Sequence, residues 1–233
     1  MKIYADGIEI ELVRKNVKNI NLSILPPDGR VRVSAPRYVQ ASVIEKFISS
    51  KLDWIKQKRA AFPTSAAPQT CEYLSGDTVY LFGKALALAL DPAQKRGSVR
   101  LYENSLAMGA DGSEDVSVRE RYYNEWLRPI LSREIEYLLP IWEERTSLHP
   151  TSWSIKNMKT RWGSCNTRTG KIWLSLSLAK RPRECTEYVI LHELVHLREA
   201  GHGARFRALM DEYMPNWRDL KQKLNGMGEL HGS

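Results

Sequence analysis

Three of the chain's five histidines, His192, His196 and His202, fall within eleven residues, and the first two bracket Glu193 in the run His-Glu-Leu-Val-His. Residues four apart share one face of a helix, so imidazoles at this spacing can converge on one ion at about 2.0–2.1 Å. Glu193 then lies on the adjoining flank. From there it would not ligate, but it would reach a water held at the ion, take its proton and pass it to a leaving group. A hydrolytic zinc site also needs a third protein ligand and an open position. Glu199 shares the face of His192, yet a continuous helix rising about 1.5 Å per residue carries it past the metal. His202 follows Gly201, which can adopt a positive φ, end the helix and turn the chain back to the ion. This geometry selects His202 as the third ligand and leaves Glu199 as an acceptor for an imidazole proton.

These residues need elements to hold them. Val189, Ile190, Leu191, Leu194, Val195 and Leu197 surround the motif, so the spacing predicts a helix from about Arg183 to Glu199 packed into a core, with a further helical region from near Gly203. Upstream, residues 152–158 and 171–178 read as short strands, and Val116 to Leu139 as a long helix kinked at Pro129. The first third alternates with period two at 8–14, 19–25 and 30–35, with a turn at Pro26 to Gly29, followed by one helix on which Ile44, Phe47, Ile48, Leu52 and Ile55 share a face. Residues 61–70 read as a hinge. Residues 76–103 read as a β-meander, with the main boundary at the 109–115 stretch that follows. The expected fold class is therefore α+β. A β-rich region with one helix spans 1–112, and a mainly helical catalytic region with a small sheet spans 113–233.

Cys71, Cys165 and Cys185 are odd in number and form no CxxC pair, which argues against both a disulfide framework and a cysteine zinc site and fits a reducing compartment. No apolar run approaches the roughly 18 residues of a membrane span, and the N-terminus lacks a signal-peptide pattern, so a cytoplasmic location without membrane partners is expected. The net charge of +8 favours an anionic partner such as nucleic acid or a nucleotide. Basic residues cluster at Lys51 to Arg59, at Lys156, Lys159, Arg161, Arg168 and Lys171, and at Lys180, Arg181 and Arg183, each readable as a solvated face.

Beyond the His-Glu-Leu-Val-His run, the sequence resembles the YgjP-like metallopeptidase family, a minimal zincin group related to SprT-like proteins. The resemblance rests on Arg161-Trp162-Gly163-Ser164-Cys165, the strand at 171–178, Pro182, the Tyr188 to Leu194 approach, His202, Phe206 and Met214-Pro215. It implies a metal helix packed on a small sheet, a peptide or protein substrate, and an edge strand to which that substrate adds, with 171–178 the natural candidate. Two departures from the family pattern, Ser175 for Asn and Arg207 for Trp, are expected not to touch a ligand. Asn157, Arg161 and Ser164 could supply a donor to a developing oxyanion. The plainer reading makes residues 162–165 a tight turn under the active-site helix, with Cys165 a small buried hydrophobe. The leading expectation is a zinc-dependent metallopeptidase. The alternatives are zinc-dependent hydrolysis of a nucleotide or phosphoanhydride, and a DNA-associated protein with a zinc site.

Overall fold

A computed structural model describes residues 2–25, 29–60, 71–158 and 160–226. The expected turn at Pro26, Pro27 and Asp28, the hinge at 61–70, Lys159 and His231 lie outside the described residues. The architecture is α+β, as expected. The chain divides into two compact units, Met1–Gln69 and Thr70–Ser233.

In the first unit, β1 (Lys2–Ala5), β2 (Ile8–Lys15), β3 (Asn21–Leu25) and β4 (Arg30–Pro36) form a sheet of order β1-β2-β4-β3. Their alternation buries Ile8, Ile10, Leu12, Val31, Val33 and Ala35 on one face, against Ile44, Ile48 and Ile55. The single helix expected here is two, α1 (Ala41–Ser49) and α2 (Leu52–Ala60). Ser50 interrupts them, its hydroxyl donating to the Phe47 carbonyl at 2.8 Å in competition with the helix ladder.

The second unit opens with β5 (Thr78–Leu81), β6 (Lys84–Leu90), β7 (Val99–Leu101) and β8 (Ser105–Met108). The order is β5-β6-β8-β7, with β6 and β8 parallel, so this is not the expected meander. Pairing Leu88 with Leu106 and Leu90 with Met108 aligns the buried residues Leu86, Leu88, Leu106 and Met108 in one core. Helix α3 (Val116–Thr146) runs through both Pro129 and Pro140, further than expected, because its buried stripe of Tyr123, Leu127, Leu131, Ile135, Leu139 and Trp142 continues past them. That stripe shares its core with β5–β8. The division into compact units comes at 69/70, with β5–β8 and α3 in the same unit.

The remaining elements build the site: β9 (Ser152–Lys156), β10 (Gly163–Asn166), β11 (Lys171–Ser175), a 3-10 turn at Leu176–Lys180, α4 (Arg183–His196), α5 (Ala204–Tyr213) and α6 (Trp217–Gly226). The small sheet has the order β10-β11-β9. Residues 163–166 thus form a strand rather than a tight turn, and the 171–175 strand expected at the edge is central. Of the two true edges, β9 has its Ile155 carbonyl occupied by Arg128 Nη1 of α3 at 2.9 Å. The third basic cluster is a solvated face only at Arg183. Lys180 and Arg181 are buried, over the rings of Tyr123 and Trp162 respectively, and Arg183 pairs with Glu134. No helix among the described residues is long and apolar enough to cross a membrane.

Candidate metal centre

Helix α4 is buried nearly all round, with Cys185, Tyr188, Val189, Ile190, Leu191, Leu194 and Val195 in the core. Each fully buried Leu, Ile or Val contributes about 1.5–3 kcal/mol, so this helix is firmly seated. Its open flank carries His192 and His196. The helix ends at His196, three residues earlier than expected, where Leu197 N–H turns back to Leu194 C=O at 2.9 Å in a tightened last turn. Gly201 does not have a positive φ, so the return of the chain does not use a left-handed glycine.

That return brings His202 onto the other two histidines. Its Nε2 lies 3.0 Å from His192 Nε2 and 3.2 Å from His196 Nε2. Nitrogens bound to one tetrahedral zinc at about 2.0–2.1 Å stand about 3.3 Å apart, so this donor set fits the ion. The three histidines are the one cluster of its kind among the described residues, and Glu199 is not in it. Instead the backbone carbonyl of Glu199 stands 3.0 Å from His196 Nδ1. A proton on Nδ1 donated there leaves the Nε2 lone pair facing the cluster. Here it is the main chain of Glu199, not its carboxylate, that stands beside His196. His202→Ala is expected to weaken zinc binding by at least about tenfold, within the range for outer-shell losses alone. Glu199→Ala is expected to leave affinity unchanged. Competition with a zinc chelator measures both, and loss confined to the Glu199 variant would reassign the ligand.

Phe206 and Arg207, both on α5, support the cluster. The buried ring of Phe206 lies 4.8 to 4.9 Å from all three imidazole centroids. Arg207 Nη1 donates to the His202 carbonyl at 3.1 Å, so the departure at 207 does touch a candidate ligand. His149, by contrast, pairs with Glu143 at 3.9 Å.

Burial drives the pKa of His192 down to about 3, helped by the charges of His196, His202 and Lys221. His202 is lowered by burial and then by the charges of His196 and Lys221. Both effects keep these imidazoles neutral, the form that binds a metal. Glu193 is only 4% exposed. Burial pushes its carboxyl up to about 8, opposed by the Arg161 guanidinium. A cation among the imidazoles would act in the same direction as Arg161.

Strand β10 lies against this carboxylate. A Cβ on Gly163 would come within 2.4 Å of Glu193 Oε1, a contact only glycine avoids. The bond from Ser175 N–H to Trp162 C=O sets the phase of the β10–β11 ladder, so the main chain of Gly163 and Cys165 faces away from β11, towards the open edge. Because successive residues alternate, Ser164 occupies the face opposite the one Gly163 turns to Glu193. Asn157 is exposed just past β9. Neither makes a hydrogen bond to the histidines or to Glu193 among the described residues. Arg161 is exposed and within electrostatic reach of Glu193.

The family profile described as YgjP-like, metallopeptidase domain, matches residues 18–227. The chain belongs to the YgjP-like family. Among curated proteins, none matches the chain. The YgjP-like match runs from β3 and β4 of the first unit through the histidine cluster of the second, and leaves β1 and β2 outside it. Its metallopeptidase character implies a hydrolase with a metal cofactor and a peptide or protein substrate. Within this YgjP-like chain, sequence reasoning missed the roles of Gly163, Phe206 and Arg207. The one local signal was the position of Phe206, four residues after His202 at the start of a helix.

Proposed function

We propose that the chain is a zinc metallopeptidase in which His192, His196 and His202 hold the ion and Glu193 is the general base. The observation that carries this reading is the convergence of three Nε2 atoms beside a buried carboxylate that lies under an open strand edge. When bound, zinc supplies Lewis-acid polarisation of the scissile carbonyl and acidifies water. Glu193 takes the proton of the attacking water on a carboxylate oxygen and delivers it to the leaving amine nitrogen. Its raised proton affinity suits both transfers. The outward main chain of Gly163 and Cys165 holds the substrate extended by strand addition on β10. Arg161 is the cation placed to oppose negative charge developing at the reacting carbonyl. Phe206 closes the apolar floor under the imidazoles and keeps water from behind them.

The test is a broad peptide library incubated with the zinc-loaded and the chelator-treated protein. Cleavage by the loaded form alone is expected, and an intact library would overturn the assignment. A second reading, hydrolysis of a phosphoanhydride by the same residues, is favoured by Arg161 beside Glu193 and Lys221 within electrostatic reach of His192 and His202. A nucleotide panel assayed for phosphate and pyrophosphate separates the two, and no release from any nucleotide removes the second.

A further inference from the structure

The sheet β10-β11-β9 has two unlike faces. Ile172 and Leu174 of β11, with Trp153 and Ile155 of β9, turn to the core. The alternate positions, Ser154 and Lys156, Lys171 and Trp173, and Ser164, share the opposite face. Trp173 is half-buried, but unlike Trp153 and Trp162 it packs against neither hydrophobic core. Instead Lys156 Nζ lies 4.4 Å and Lys171 Nζ 5.6 Å from its ring centroid.

The charge around this face is one-sided. From Thr151 to Arg183 the chain has eight Lys and Arg and no Asp or Glu, while the rest of the sequence balances at 27 of each sign. This one segment therefore accounts for the whole net charge of +8. Lys180 and Arg181 are buried, Arg183 is paired and Arg161 lies within reach of Glu193, so the cations left for this face are chiefly Lys156 and Arg168, with Lys171 half-buried. No carboxylate from these strands neutralises them.

We infer that this outer face, centred on Trp173, binds single-stranded nucleic acid. A base stacks on the indole, and Lys156 and Lys171 move from the ring to the flanking phosphates. An ammonium held over an aromatic face marks a surface that accepts a π or cationic partner, and lysine stems are long enough to exchange one role for the other. Every base offers a π-face, so such a platform binds without sequence readout, but only when the bases are unpaired. A duplex would offer its phosphates and hide its bases. An acidic polypeptide would satisfy the lysines and leave Trp173 without a role. The face lies opposite the one Gly163 turns to Glu193, so occupancy does not require the histidine cluster.

The full zinc-loaded chain titrated with labelled oligo-dT and oligo-U of about 12 nucleotides, followed by anisotropy and tryptophan fluorescence, tests this. Both strands are expected to bind more tightly than a duplex of equal length and to quench tryptophan emission. Trp173→Leu is expected to weaken binding about tenfold or more. Lys156→Ser with Lys171→Ser is expected to lower the slope of log affinity against log salt by about 1.4, two phosphate contacts on a single strand. Affinity is expected to survive Glu193→Gln, which separates this inference from the hydrolytic one. Equal affinity for duplex, a salt slope unchanged in the double lysine variant, full affinity in a folded Trp173→Leu protein, or equal competition by polyglutamate would each overturn it. Because the lysine variant leaves Trp173 in place, it decides the matter even where Trp173→Leu does not fold.

Discussion

Glu193→Gln is expected to lower turnover by about 10²–10⁴-fold, the usual contribution of a positioned general base. Zinc affinity should not change. Glutamine has nearly the shape of glutamate, and Glu193 is not among the three converging histidines, so the ligand set is preserved. What is lost is a group that can hold the water's proton. The substitution also removes a buried carboxyl whose ionisation burial opposes, so the folded state should not be weakened. Parallel measurement of turnover and of zinc by metal analysis distinguishes loss of the base from loss of the site. Turnover equal to that of the unaltered protein would remove Glu193 from the chemistry.

Gly163→Ala is expected to produce nearly as large a loss from a residue that bears no functional group. The added methyl would sit 2.4 Å from Glu193 Oε1, 2.7 Å from Cγ and 2.8 Å from Cδ, so the carboxylate must shift. Glu193 has little room to do so, because α4 is packed against the core on its other sides. A displacement near 1 Å at a reacting group can cost about 10²-fold. The overpacking should also cost about 1–3 kcal/mol of stability. Zinc should remain bound, since Gly163 approaches the base and not the histidines. Gly201→Ala is the matched control. That position has open space around it and no positive φ, so activity, zinc and melting temperature should all be unchanged. A fully active Gly163→Ala would mean that β10 does not position the carboxylate.

The contrast between these two glycines shows where the sequence was readable. The metal helix was legible because its information is local: His192 and His196 are one turn apart, and their apolar neighbours repeat with the helical period. The sequence marks His202 as a neighbour of the other two histidines, but the chain reaches that place without the left-handed Gly201 that its glycine suggests. Gly163 was illegible because its role depends on contact with a residue thirty positions away in sequence. The central place of β11 was hidden for the same reason, as strand order is decided by non-local pairing that alternation does not encode. Helix α3 continuing through two prolines, and the break at Ser50, show tertiary packing and a side-chain hydrogen bond overriding local propensity in opposite directions. The compact-unit division at 69/70 depends on the core shared by β5–β8 and α3, which no single segment reveals.

The edge formed by β10 is short. On the β9 side Arg128 takes the Ile155 carbonyl, and on the β10 side the sheet offers the outward amides of just Gly163 and Cys165. Two residues of ladder can read almost nothing of a partner's sequence. On the proposed reading, selection then falls on mechanical state: a segment is accepted if it can be drawn out straight over a few residues, and a folded one is refused because its own ladder or helix already holds those groups. Such an enzyme would discriminate by the looseness of its targets more than by their composition, and cleavage would report local unfolding wherever it occurs.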